Sequence, residues 1–163
     1  MLRAMNTRSI LVSLALVASL GLSACGSGSS ASGKPQADGS YKKADLAKAA
    51  DKVCQQTKDS AKSIKPVTDP SNPVAVATYL EQLLPITQKQ STGLAALKPA
   101  ADVQADYSAL LAKQQEIVTF FQNVLKKAKT KDPTGQQDLA KGAALGPQFT
   151  ALAKKIGSKV CGS

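Results

Sequence analysis

The stretch that indicates the fold most clearly is residues 100–129, AADVQADYSALLAKQQEIVTFFQNVLKKAK. Its apolar residues recur at steps of three and four, which places them on one face of an α-helix. The stripe consists of Val103, Tyr107, Leu110, Leu111, Ile117, Val118, Phe121, Val124 and Leu125. A helix of this length, about 45 Å, must bury its stripe against other helices. The stretch therefore predicts an all-α domain.

Proline and glycine divide the flanking sequence into three further predicted helices. They run from about Lys42 to Lys65, from Pro73 to Leu97 and from Gln136 to Val160. Because the connections are short, neighbouring helices should be antiparallel. The prediction for residues 41–163 is a four-helix, up-down-up-down bundle.

Three positions predict local features of these helices. Asn72 is a favourable N-cap, followed by a proline suited to a first helical position. Pro85 removes a backbone hydrogen bond inside the second helix, which predicts a kink near residues 81–84. Gly146-Pro147 predicts a break or bend in the fourth helix.

Composition agrees with packed helices. Hydrophobic residues make up 43% of the 163 residues, aromatic residues only 4%, and tryptophan is absent. A core of Leu, Val, Ile and Ala suits helices better than a β-sandwich.

Residues 1–24 have the layout of a secretory signal peptide. Arg3 and Arg8 precede a thirteen-residue apolar run, Ile10 to Leu22. As a helix this run would span only about 20 Å, less than the hydrocarbon core of a bilayer. The run therefore indicates a cleaved leader rather than a permanent transmembrane anchor.

The leader ends in Leu22-Ser23-Ala24-Cys25, which resembles the lipobox of bacterial lipoproteins. The resemblance implies that a diacylglycerol is attached to the Cys25 thiol and that the chain is cut before this residue. Two acyl chains suffice for stable membrane anchoring. The alternative is an ordinary signal peptide with a chance cysteine near its cleavage site.

Residues 25–40 are predicted to be a tether. After Cys25 the sequence GSGSSASGKPQADGS is rich in Gly and Ser and lacks large apolar residues. Such a segment cannot bury enough surface to fold and is typical of a flexible linker.

The chain has three cysteines. Lipidation of Cys25 leaves Cys54 and Cys161, and an oxidising location outside the cytoplasm favours a disulfide between them. The alternative is two buried free thiols. The absence of C-x-x-C spacing argues against a redox-active pair.

The exported part of the chain has an unusual set of charged residues. Of the 21 basic residues, Arg3 and Arg8 lie in the leader, so 19 lysines face 11 acidic residues, and there is no histidine. Arginine is the usual residue for specific nucleic-acid recognition, and histidine is the commonest general base and metal ligand. We therefore expect no nucleic-acid partner, no cofactor and no histidine-based catalysis.

Asp102 and Asp106 are four residues apart at the predicted start of the third helix. They suggest either a cation site or, more simply, a favourable interaction with the positive helix N-terminus, as at Asp45 and Asp138. A di-iron bundle needs four inward-facing Glu residues, two of them in Glu-x-x-His motifs, whereas this sequence has only Glu81 and Glu116 and no histidine. No metal site is predicted.

Lysines cluster at the predicted ends of the third and fourth helices, at opposite ends of the bundle. The clusters are Lys126, Lys127, Lys129 and Lys131, and Lys154, Lys155 and Lys159. The simpler interpretation is solvated residues that complement helix C-terminal dipoles. The functional one is weak, salt-sensitive attraction to anionic lipids or envelope polymers.

The six aromatic residues suggest either a ligand pocket or ordinary core and half-buried surface. They are Tyr41, Tyr79, Tyr107, Phe120, Phe121 and Phe149. Because Phe120 and Phe121 are adjacent, both cannot face the centre of one stripe, and an exposed Phe120 would mark a contact site.

The complete layout of lipobox, short tether, helical domain and C-terminal cysteine resembles that of small, uncharacterised actinobacterial lipoproteins. It implies a protein anchored by lipid on Cys25 to the extracytoplasmic face of the cell membrane. Without a catalytic motif, a non-enzymatic binding module is the first hypothesis. A carrier that holds a small apolar ligand between the helices near Pro85 is the alternative, and an envelope enzyme comes third. The sequence nominates no catalytic residue and no protein partner.

Overall fold

The computed structural model describes residues 33–161 and Ser163. The predicted signal peptide, Cys25 and residues 26–32 of the predicted tether lie outside these residues. The described part contains no β-strand, only an isolated bridge between Tyr41 and Pro99. Its helices are α1 (Lys43–Ala61), α2 (Pro73–Ala95), α3 (Gln104–Lys129), α4 (Gly135–Gly142) and α5 (Leu145–Lys155). The all-α prediction is confirmed.

α3 lies at the centre of the domain, where it packs against α2, α4 and α5, while α1 packs against α2. Its inward residues recur at helical spacing: Tyr107, Leu110, Gln114, Val118, Val124 and Ala128 are buried. The apolar stripe of α3 thus lies in the middle of the core. One buried position of this helix is polar, namely Gln114.

Contacts at both ends of α2 and α3 show that these helices are antiparallel. At one end the buried hydroxyl of Tyr107 donates a 2.6 Å hydrogen bond to the carbonyl of Leu94. At the other end Lys129 forms a 2.7 Å ion pair with Glu81. Burial raises the pKa of Tyr107, so this hydroxyl remains a donor.

The start of α2 follows the sequence prediction. The side chain of Asn72 accepts hydrogen bonds from the backbone N–H groups of Val74 (3.0 Å) and Ala75 (3.3 Å), and Pro73 is the first helical residue. Pro85 lies inside α2 with its ring exposed to solvent. The kink predicted beside it stays a prediction, since the helix is continuous from Pro73 to Ala95.

The break predicted in the fourth helix is present and divides it into α4 and α5, but it lies earlier than predicted. α4 ends at Gly142 and α5 begins at Leu145, so the break precedes Gly146-Pro147 rather than falling on it. The proline ring would clash with the carbonyl of Ala143, four residues earlier, in a continuous helix. As the third residue of α5, Pro147 loses no hydrogen bond, because the first N–H groups of a helix have no partner within it.

The predicted helical segment up to Val160 is also shorter in the structure. α5 ends at Lys155, and Gly157 adopts a positive φ of 85°, which glycine tolerates without steric cost. The N–H groups of Gly157 and Ser158 bond to the carbonyls of Lys154 and Ala153, both at 3.0 Å. This pattern is a Schellman motif, and it turns the chain back towards α1.

The buried apolar residues form two clusters. The first joins α1, α2, α3 and α5 through Leu46, Ala50, Cys54, Leu94, Val103, Tyr107, Leu110, Phe149, Ala153, Ile156 and Cys161. The second joins α2 and α3 through Val76, Leu80, Val124 and Ala128. The first cluster contains the residues that position the site described below.

Part of the predicted tether is folded onto the domain. Residues 36–40 form a turn in which the N–H of Gln36 bonds to the carbonyl of Ser40 at 2.6 Å. Tyr41 then pairs with the segment before α3, donating to Lys98 (2.8 Å) and accepting from Ala100 (2.9 Å). The side-chain bonds of Asp38 to Ser40 close a turn that composition alone did not reveal. No helix among residues 33–161 is long and apolar enough to cross a membrane.

Gly142, at the end of α4, packs directly against the ring of Phe120. A Cβ atom at Gly142 would lie 2.1 Å from the ring of Phe120. We expect Gly142→Ala to lower the free energy of unfolding by about 1–3 kcal/mol, because the ring must move within a packed interface. Urea denaturation of the full chain in detergent measures this change.

Gly146→Ala is the matched control, because a Cβ atom there has no neighbour within 4 Å. Its effect should be within about 1 kcal/mol and stabilising, as expected for Gly→Ala in a helix. Equal effects of the two substitutions would contradict the packing of Phe120 against α4.

Candidate functional site

The most elaborate arrangement of polar groups lies where the C-terminal segment returns along α1. Asp51 on α1 faces this segment, and we call Asp51, residues 158–161 and the disulfide beside them the C-terminal clasp. The Asp51 carboxylate accepts hydrogen bonds from the N–H groups of Val160 (2.7 Å), Lys159 (3.0 Å) and Cys161 (3.3 Å). It also accepts one from the buried hydroxyl of Ser158. One side chain thereby satisfies the polar groups of a complete turn.

The ionisation of Asp51 reflects this arrangement. Partial burial alone would raise the pKa of its carboxyl, but the Ser158 hydroxyl and the three backbone N–H groups outweigh burial and hold the pKa below its usual value. Asp51 is therefore a carboxylate at neutral pH. It accepts four hydrogen bonds from the C-terminal segment, so its role is structural: it holds this segment against α1.

The disulfide between Cys54 and Cys161 completes the clasp. Its Cα atoms are 5.3 Å apart, and both residues are buried. The predicted pairing is confirmed. The amide of Gln90 on α2 donates to the Cys54 sulfur at 3.2 Å, which ties the clasp to the second helix.

A surface groove lies directly beside the clasp, and we call it the basic groove. Its apolar lining residues are Ala44, Ala47 and Ile156, and three exposed lysines line it as well: Lys43, Lys48 and Lys159. Asp51 and Gly157 complete its lining, and its volume is about 490 Å3. The groove exists because the Gly157 turn and Asp51 hold the C-terminal segment alongside α1.

The charges around the basic groove are predominantly positive. Within residues 33–161, Lys43 and Lys159 form no ion pair, and Lys48 lies 3.9 Å from Asp45. The carboxylate of Asp51 faces the C-terminal segment through four hydrogen bonds. The exposed ammonium groups are thus left to interact with an anion.

A second surface groove, of about 460 Å3, lies between the α1–α2 loop and α2. Its lining is mixed: Ser63, Lys65, Pro66, Val67, Thr68, Ala75, Thr78, Tyr79 and Gln82. Pro85 lines neither groove. Neither groove therefore supports the hypothesis of an apolar ligand held between the helices near that proline.

The two predicted aspartates lie in different elements. Asp102 is exposed in the turn before α3, and Asp106 lies in the first turn of the helix. Asp45 and Asp138 occupy the first turns of α1 and α4, as the dipole interpretation expects. Residues 33–161 contain no group of three or more metal-ligating side chains.

The predicted lysine clusters lie at opposite ends of the bundle. Lys126, Lys127 and Lys129 are in the last turn of α3, where Lys127 pairs with Asp138 and Lys129 with Glu81. Lys131 follows the helix in a left-handed conformation with φ 53°. At the other end, Lys154 and Lys155 are in the last turn of α5. Lys159 belongs instead to the basic groove, together with lysines from α1.

The aromatic residues do not line a common pocket. Tyr107 and Phe149 are buried in the first apolar cluster, with Tyr41 against its edge. Tyr79, Phe120 and Phe121 pack against the second cluster. Phe120 is half-buried against Gly142, so the hypothesis that its exposure marks a contact site is wrong.

Sequence reasoning missed Asp51, Lys43 and Lys48. The part of the groove on α1 could have been predicted from the sequence. Residues 43, 44, 47, 48 and 51 are spaced so that they lie on one helical face, beside the face that packs into the core. No local signal connects Asp51 with residues more than one hundred positions later. That connection depends on where α5 ends.

Comparison with known proteins adds no relative: no protein-family model matches the chain, and neither the curated proteins nor the solved structures give a match.

Proposed function

We propose that this protein is a lipoprotein, anchored by lipid on Cys25 to the extracytoplasmic face of the cell membrane, whose helical domain is a non-catalytic binding module. The Cys54–Cys161 disulfide is the observation that carries the proposal. Structural disulfides persist outside the cytoplasm and are rare within it. The bond pairs the two cysteines that remain once Cys25 is assigned to lipid, so it supports the interpretation of the leader.

Binding is favoured over catalysis by the chemistry of the exported chain. It has no histidine and no arginine after residue 24, and lysines supply all its positive side-chain charge. Lysines provide non-specific attraction to anionic surfaces without the proton-transfer chemistry of histidine near neutral pH. The charged groove beside the clasp is a surface for such attraction.

Cys25→Ser tests the anchor. We expect the wild-type chain to fractionate with membranes and to incorporate an alkyne-labelled fatty acid. The variant should incorporate none and should leave the membrane fraction or accumulate as the uncleaved precursor, because the acceptor thiol is gone. Fractionation, in-gel fluorescence and intact mass measure these outcomes.

A displaced cysteine provides the control. In Cys25→Ser/Ser27→Cys the chain has a thiol two residues beyond the motif, and lipid labelling should not return. Cys25→Ser protein of mature size that remains on membranes would contradict the lipid anchor. Restored labelling in the double variant would contradict the role of the lipobox.

A further inference from the structure

We infer that the basic groove is a docking site for the headgroups of anionic phospholipids in the membrane that holds the anchor. This inference rests on the proposed function, because it takes the lipid on Cys25 to keep the domain near that membrane. It goes further in naming the face of the domain that meets the bilayer and the lipid class that this face recognises.

The position of the groove relative to the tether is the first argument. Gly33 lies against the first turn of α1, where a Cβ atom would be only 2.1 Å from the carbonyl oxygen of Asp45. Asp45 directly follows Ala44, which lines the groove, and its carboxylate lies 3.9 Å from the ammonium group of Lys48, which also lines it. The chain towards Cys25 therefore leaves the domain beside the groove.

The length of the remaining chain is the second argument. Cys25 precedes Gly33 by eight residues. Even fully extended, eight residues span no more than about 29 Å. A lipid on Cys25 therefore keeps Gly33, at the groove side of the domain, within that distance of the anchor, whereas the lysines at the end of α3 lie at the far end of the bundle.

The chemistry of the groove is the third argument. A phospholipid headgroup joins an anionic phosphodiester to an apolar glycerol ester. The groove is lined by Lys43, Lys48 and Lys159 together with the apolar residues Ala44, Ala47 and Ile156, so it offers ammonium groups to the phosphodiester and apolar side chains to the glycerol ester. Lysine stems extend along apolar surface while their charge reaches the interface. Each such lysine near an anionic surface strengthens binding about fivefold.

The test uses the lipidated full chain reconstituted in two types of vesicle. One contains phosphatidylcholine alone and the other also contains phosphatidylglycerol, at about one lipid in three. A water-soluble amine reagent labels the lysines, and peptide mass spectrometry measures each rate. We expect labelling of Lys43, Lys48 and Lys159 to slow at least about fivefold in anionic vesicles, with Lys126 and Lys131 unchanged. The protection should vanish in 1 M salt, where the screening length is about 3 Å.

Two variants of equal charge separate the groove from net charge. In Lys43→Gln/Lys48→Gln, Lys159 should lose its protection, because the headgroup no longer meets three lysines together. In Lys126→Gln/Lys131→Gln, which removes the same charge at the other end, Lys159 should stay protected. All four substituted lysines are exposed, and a retained disulfide, measured by intact mass, verifies the fold.

Each other outcome contradicts a defined part of the inference. Equal labelling in both vesicle types, or equal loss of protection in both variants, would overturn the groove as a headgroup site. Protection that grows with protein density in phosphatidylcholine alone would assign the groove to a second copy of the chain. A chain that floats with neither vesicle type would instead contradict the lipid anchor, and the groove proposal with it.

Discussion

Replacing both Cys54 and Cys161 with alanine is expected to lower the free energy of unfolding by about 4–5 kcal/mol. The bond closes a separation of 107 residues, and the chain-entropy argument assigns this amount to a loop of that length. Since domains are stable by only about 5–15 kcal/mol, this is a large share of the total. The same change should release the C-terminal segment from α1.

Urea denaturation of the full chain in detergent measures this loss. The reduced wild-type chain is the control, because it lacks the covalent link but retains both buried sulfur atoms. It should lose most of the stability that the double variant loses. A change below about 1 kcal/mol in both samples would show that the disulfide contributes little to the clasp.

Asp51→Ala is expected to cost about 2–4 kcal/mol, the second-largest effect. The substitution removes a charged acceptor from four donors, of which the Ser158 hydroxyl is buried. Hydrogen bonds to charged groups contribute more than neutral ones, and a buried donor left without a partner carries its own penalty. Asp59→Ala on the exposed side of α1 is the control and should have a much smaller effect, because its ion pair with Lys62 is exposed to solvent. Similar losses for both variants would contradict the role of Asp51.

The pH dependence of Asp51→Asn checks the same assignment. Because the folded-state pKa of Asp51 is lowered, its contribution is fully present above the unfolded pKa of about 4 and is lost as the pH falls through the folded value. The stability difference between wild type and Asp51→Asn should therefore be largest at pH 6 and shrink towards pH 2. A difference that stays constant over this range would contradict the lowered pKa.

Asp51 and the disulfide hold the same segment, so their effects should not add. In a chain that lacks the disulfide, Asp51→Ala should cost less than in the wild type, because the segment that donates to it is already partly released. Since this segment forms one wall of the basic groove, the clasp also determines whether the groove exists. Stability of the clasp and binding at the groove are thereby linked.

The fold was predictable largely because its signals are local. The stripe of α3, the Asn72 cap and the proline boundaries each depend on residues within a few turns of one another. The division between α4 and α5 was placed on the wrong residues, because the proline ring acts on a carbonyl four positions earlier. The end of α5 was not predicted correctly, because it depends on the turn at Gly157. The positive φ of this glycine is not specified by a sequence pattern.

The candidate site was predictable only in its covalent part. Cysteine counting found Cys54 and Cys161, because the proposed lipidation of Cys25 leaves one pair. The lysine clusters were grouped by helix, and the structure moves Lys159 into a different group with residues of α1. Proximity in sequence is a poor guide to which charges share a surface when helices pack side by side.

The sequence by itself determined the helical class and the cysteine pair, since helical periodicity and residue types do not depend on distant contacts. It also contains the lipobox-like segment Leu22-Ser23-Ala24-Cys25, on which the proposed anchor rests. Only the tertiary structure decided that Asp51 accepts hydrogen bonds from the C-terminal segment and that three lysines line one groove with apolar residues. Both features bring together residues that are more than one hundred positions apart. Their contact depends on the direction of the chain after the Gly157 turn at the end of α5.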